Sequence, residues 1–193
     1  LLWEGGLLPE IDPLLSERLS LRREALLSEI QCCPRDILLR WCIVLQDYTP
    51  TEAKAFLKGM KCDNHTIKTV SLLLEHLKQD VPTEPYPLRK LTGTIGTDAV
   101  RSLLTLQAIL RPASSHMESL ALLEKILSDG DCLTLKEMAL SGKDLMALGA
   151  PHGKGLGEIL SALLDMVLQD PAKNNKDHLT ELALSLLQEK GLQ

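Results

Sequence analysis

With 193 residues, 45% of them hydrophobic and 24% charged, the chain can bury a real core and has a globular composition. The formal charge of −5 divides into −1 over residues 1–90 (12 Lys/Arg, 13 Asp/Glu) and −4 over residues 91–193 (9 and 13). Neither half is a basic arm, no apolar run approaches the roughly 20 residues of a membrane span, and no leader with a basic start and an apolar middle is visible.

In chain order, apolar residues recur at i, i+3, i+4 and i+7 in nearly every segment, which is the helix period. The pattern predicts helices over Pro13–Ser20, Leu21–Gln31, Pro34–Leu45, Thr51–Lys61 and Asn64–Gln79, the last capped by Asn64. It continues with Leu88–Ile95, Thr97–Leu110, Ser115–Ser128, Leu135–Leu140 and Gly142–Ala147. The last two are Gly155–Leu168 and Lys176–Glu189, the latter announced by Asn174-Asn175 and followed by Gly191. No alternating β-branched run competes. The fold class is therefore all-α, a multi-helix array in two small helical lobes without a sheet.

Two breaks punctuate the array. Val81–Pro87 holds three prolines in seven residues, and Arg111-Pro-Ala-Ser-Ser115 is the second break. The second is the preferred boundary, giving regions 1–110 and 111–193. Aromatics make up only 3%, so the core is expected from Leu, Ile, Val, Ala and Met. The chain begins at Leu1 and not Met, which reads as a piece of a longer protein.

Catalytic signatures are missing. There is no phosphate-loop motif, no G-x-S-x-G elbow and no H-E-x-x-H, and the five histidines (His65, His76, His116, His152, His178) are scattered. Five cysteines without a C-x-x-C pair read as reduced, mostly buried thiols of a cytoplasmic protein. Cys62 and His65 could form half a metal site, but no second half is apparent, so neither catalytic nor metal residues are assigned.

Two features remain. Lys54, Lys58 and Lys61, at i, i+4 and i+7, share one helix face, with His65 and Lys68 following on the next helix. Such a stripe fits a solvated face or a set of phosphate-backbone contacts, which need only point charges at suitable spacing. Arg22-Arg23, Arg89-Lys90 and Arg101 are lesser candidates. The second feature is Ala150-Pro-His-Gly-Lys-Gly-Leu-Gly157, where Gly153, Lys154 and Gly155 precede a helix whose first N–H groups can meet an anion. The same turn also fits a tight helix connection, with Gly149 as a C′ cap and Gly157 as a close helix contact.

These residues resemble a family. Leu135, Ala139, Ser141, Gly142, Asp144, Leu145, Gly149, Gly153, Gly157, Val167 and Asn174 or Asn175 follow the order of the tail region of bacterial CCA-adding tRNA nucleotidyltransferases, of the poly(A) polymerase-like class. Leu156 departs from the aromatic residue common there. Leu39–Leu45, Ala55-Phe-Leu-Lys58 and Cys62–Lys68 are similar to the body region of the same family, so the likeness runs from about Pro34 to Leu187.

The resemblance implies a body-like region 1–110, beginning at the end of a neck, and a tail-like region 111–193. It implies tRNA as partner, held by its acceptor stem and elbow through Lys54, Lys58, Lys61, Lys68, Gly153, Lys154 and Gly155. The parent would be a CTP/ATP:tRNA nucleotidyltransferase using Mg2+ with CTP and ATP in an amino-terminal head and neck, so this chain alone would need no cofactor and do no chemistry. Asp144 is expected to serve structure, as a helix-start acceptor. The acidic balance and scarce aromatics fit another reading, an all-α protein–protein adaptor without RNA binding. A third makes the chain an oligomerisation module, with a homodimer as the expected assembly.

Overall fold

The computed structural model describes residues 6–112, 115–150 and 153–189. Among these residues every regular element is helical. In chain order they are α1 (Leu8–Ile11), α2 (Pro13–Leu21), α3 (Arg23–Cys32), α4 (Ile37–Val44), α5 (Pro50–Gly59) and α6 (Asn64–Leu77). They continue with α7 (Pro85–Ile95), α8 (Thr97–Leu110), α9 (His116–Ser128), α10 (Gly142–Ala147), α11 (Lys154–Gln169), a 3-10 turn Pro171–Lys173, and α12 (Lys176–Glu189). The expected all-α class is what the chain adopts.

The chain divides into two compact units, one of residues 1–81 and 98–117 and one of residues 82–97 and 118–193. In the first, α5 packs on α6, and α6 on α4. Ala53 and Leu57 of α5 are buried, as are Ile67, Val70, Leu73 and Leu74 of α6. The buried side chain of Gln107 on α8 fixes the end of this unit's first segment. It donates to the Gln79 carbonyl at 2.7 Å and accepts from the Val81 N–H at 3.3 Å. A buried amide is tolerated when its polar groups are paired in this way.

In the second unit α11 is the central helix, touching α7, α10, α12 and the 3-10 turn. Leu145, Ile159, Leu163, Val167, Leu179 and Leu187 are fully buried in one core with Cys132, Met138 and Leu140. Gly93 of α7 lies so close to the turn at Leu133 that a Cβ there would fall within 3.0 Å of the Leu133 carbonyl oxygen.

Several boundaries differ from the sequence expectation, each for a local reason. Asp36 accepts from the N–H groups of Leu38 and Leu39, so α4 begins at Ile37 and not Pro34. Asp63, not Asn64, caps α6 by accepting from Thr66 N–H. Pro85 opens α7 at the first helical position, where no N–H is needed, so part of the proline-rich break is helical. Leu135–Leu140 is a turn and not a helix. The Glu137 carboxylate takes the N–H groups of Leu133 (2.7 Å) and Thr134 (2.9 Å), and Asn174 takes that of Ala139 (2.8 Å). Side-chain acceptors there replace the helical ladder.

Candidate nucleic-acid interface

The α5–α6 pair places the predicted lysines. Thr49 and Glu52 close the start of α5 with a reciprocal capping box, Thr49 Oγ1 accepting from Glu52 N–H and the Glu52 carboxylate from Thr49 N–H at 2.7 Å. That Thr49 N–H bond holds Glu52 below the usual carboxylate range. Lys54 and Lys58 then stand four residues apart on exposed positions of α5, about 6 Å along the axis.

Lys61 is not on that helix. The ladder stops at Gly59, and Lys61 adopts a left-handed conformation with φ +57°. Its N–H bonds the Lys58 carbonyl, and the Cys62 N–H bonds that of Leu57, both at 3.0 Å. This is a Schellman cap with lysine in the position that glycine usually fills. Gly130 and Gly149 hold the same position after α9 and α10, with φ of +71° and +94°. The expected cap at Gly149 is thus present.

Lys68 is exposed in the second turn of α6, with His65 exposed one turn earlier. Residues 53–74 hold four lysines and one carboxylate, Asp63. Asp63 is committed to the start of α6, and the Thr66 hydroxyl at 2.6 Å lowers its pKa. The chain is acidic, yet this stretch of it carries an excess of lysine.

The second predicted feature belongs to the other unit. Gly153 sits at the N-cap of α11 with φ +91° and ψ −136°, a backbone that calls for glycine, and α11 has no side-chain cap. Lys154 and Gly155 are its first residues, Lys154 exposed. Pro151 and His152 of the same turn lie outside the described residues. Gly157 is not a close contact: it is exposed, and nothing lies within 4 Å of where its Cβ would be. A glycine that does need its missing Cβ is Gly93. An isolated glycine inside an apolar-periodic helix was the available clue.

Three of the lesser candidate cations, Arg22, Arg89 and Lys90, are structural. Arg22 pairs with Glu29 and donates to the Ile43 carbonyl at 3.1 Å. Arg89 is held by Asp131 and Leu168, and Lys90 by Asp165 and Tyr86. Asp144 does what the sequence suggested: its carboxylate accepts from Ser141 N–H at 2.8 Å and Ser141 Oγ at 2.5 Å, and pairs with Lys176 at 2.9 Å. Cys42 is fully buried, and desolvation pushes its thiol up to about 12. No three His, Cys, Asp or Glu side chains gather among the described residues.

The family model described as "tRNA nucleotidyltransferase domain 2 putative" matches residues 37–183, most of the chain. The chain belongs to this tRNA nucleotidyltransferase domain 2 family. No curated protein and no solved structure matches it. The matched stretch contains every predicted lysine and the Gly153 turn, and leaves α1–α3 outside. Many of the residues that carried the resemblance build the domain: Leu145 and Val167 lie in the core, Ser141 and Asp144 cap α10, and Gly149 ends it. Of the two asparagines, Asn175 starts α12 by accepting from Asp177 N–H at 2.9 Å. Asn174 clamps the 137–139 turn.

Proposed function

We propose that this chain is the tRNA-holding portion of a CCA-adding tRNA nucleotidyltransferase of the bacterial, poly(A) polymerase-like class, gripping the acceptor stem and elbow. The observation that carries the reading is a set of four exposed lysines on α5, on α6 and in the turn between them, lying inside the family match. Lys54, Lys58, Lys61 and Lys68 are exposed, and the one carboxylate in their stretch is occupied as a cap. Point charges spaced along helices and the turn joining them suit the phosphates of a folded RNA, which is recognised by shape and backbone because its deep major groove hides the base edges. Lys154, at the start of α11 where Gly153 offers no side-chain cap, supplies a second phosphate contact. Nucleotide transfer, with Mg2+, CTP and ATP, belongs in this proposal to a head outside the chain.

The test is fluorescence anisotropy of the chain with labelled whole tRNA and with an acceptor-stem minihelix lacking the elbow, at two salt concentrations. Salt-sensitive binding, tighter for whole tRNA and weakened in Lys54→Ala/Lys58→Ala/Lys68→Ala, is expected. The reading fails if neither RNA binds, or if both the triple variant and Lys154→Ala bind tRNA normally. Self-association that is indifferent to salt would favour the oligomerisation reading.

A further inference from the structure

We propose that the cleft between α7, the 133–136 turn and α11 binds one nucleoside phosphate unit, either as part of an RNA or as a free nucleotide. The cleft encloses about 610 Å3, within the range of small-ligand sites. Its walls are fixed before any ligand arrives. Arg89 of α7 bonds Asp131 beside the turn and the Leu168 carbonyl of α11, while Tyr86 of α7 donates to Asp165 of α11 at 2.7 Å. Gly93 brings α7 against the Leu133 carbonyl with no room for a side chain.

Three kinds of surface meet inside. Leu133, Leu164 and Leu168 form an apolar wall, the surface a planar ring needs for one face. Thr134 and Ser161 add hydroxyls without a side-chain hydrogen bond among the described residues, suited to the donors and acceptors of a ribose. Lys136 supplies an exposed ammonium with no carboxylate partner there. The other lining cation, Lys90, is neutralised by the lining carboxylate Asp165 at 2.9 Å, so Lys136 is the lining cation left without a lining carboxylate, the neighbouring Glu137 being held by the Leu133 and Thr134 N–H groups. A planar ring with a stackable face, a hydroxylated linker and one anion together describe a nucleoside phosphate. Choosing it over other amphiphilic anions rests on the RNA reading above.

The full chain is titrated with AMP, CMP, adenosine, inorganic phosphate and a single-stranded RNA trinucleotide while backbone amides are followed by NMR. AMP, CMP or the trinucleotide should saturably shift amides of residues 133–136 and 161–165. Adenosine or phosphate alone should bind more weakly. Lys136→Glu, which removes the phosphate partner, and Ser161→Trp, which fills the cleft from an exposed helix position, should each weaken binding about tenfold or more. Response to the trinucleotide alone assigns the site to RNA, and response to mononucleotides assigns it to a free nucleotide. No saturable shift with any probe overturns the proposal, as does binding that both folded variants retain. Whole-tRNA affinity in the Lys54/Lys58/Lys68 variant is read separately. If tRNA fails to bind but AMP shifts these amides, the tRNA reading alone falls; the reverse result removes this cleft alone.

Discussion

Arg89 Nε meets Asp131 Oδ2 at 2.6 Å, with both side chains mostly out of solvent at 14% and 9% exposure. The same guanidinium reaches the Leu168 carbonyl at 3.1 Å, so one side chain joins α7, the loop after α9 and the end of α11. Removing the cation leaves a carboxylate desolvated and unpaired, the costly way to break a buried pair. Arg89→Ala should cost about 3–5 kcal/mol in urea unfolding, and Arg89→Leu/Asp131→Leu should recover much of it. An unchanged midpoint for the single variant would show that the pair contributes nothing.

Glycines with different surroundings should respond in opposite directions. Gly93→Ala drives a methyl group into a backbone carbonyl and should destabilise by about 1–3 kcal/mol. Gly157→Ala, in open space within α11, should stabilise by up to about 1 kcal/mol through helix propensity. Denaturant midpoints of the two variants, measured side by side, check both signs.

Lys61 separates fold from binding. Its left-handed backbone strains any residue with a Cβ, so Lys61→Gly should raise stability by about 1 kcal/mol. If the lysine meets phosphate, the same variant should bind tRNA more weakly, with a salt slope shallower by roughly 0.7–0.9. Stability and affinity measured on one sample would then move in opposite directions. Weaker binding together with lower stability would contradict the backbone argument.

Acid should loosen both units. Asp63 is held below its ordinary range by the Thr66 hydroxyl, Asp144 by Ser141 and then Lys176, and Asp165 by Lys90 and then Tyr86. A carboxylate whose folded pKa is depressed contributes stability that is present above its unfolded pKa, near 3.9 for Asp. That stability is lost as pH falls through the folded value. Tm should therefore be steady near neutrality and fall as pH drops below about 4–5. Asp63→Asn and Asp144→Asn should each flatten that fall; an equally steep acid limb in both variants would contradict this account.

Much of the site was legible because it is local. Lys54 and Lys58 share a face by helix period alone, and the Ser141–Asp144 and Asn175 caps follow from spacings of two or three residues. What a residue does across the fold was not legible. Arg89 and Lys90 read as spare cations until Asp131 and Asp165, distant in sequence, arrived as their partners. Gly157 read as a packing glycine because it sits in a glycine-rich run, whereas the close approach belongs to Gly93.

The sequence by itself determined that the chain is helical, where most helices start and stop, and which lysines are gathered on α5 and α6. Periodicity and capping act over a few residues, so the local order of side chains is enough to set them. Tertiary structure alone decided that 133–140 is a clamped turn. It also decided that α7 belongs with α9–α12 and that a cleft lined by Thr134, Lys136 and Ser161 exists. Those outcomes depend on pairings such as Asn174 with Ala139 and Arg89 with Leu168, made across 35 and 79 residues, where no local period carries information.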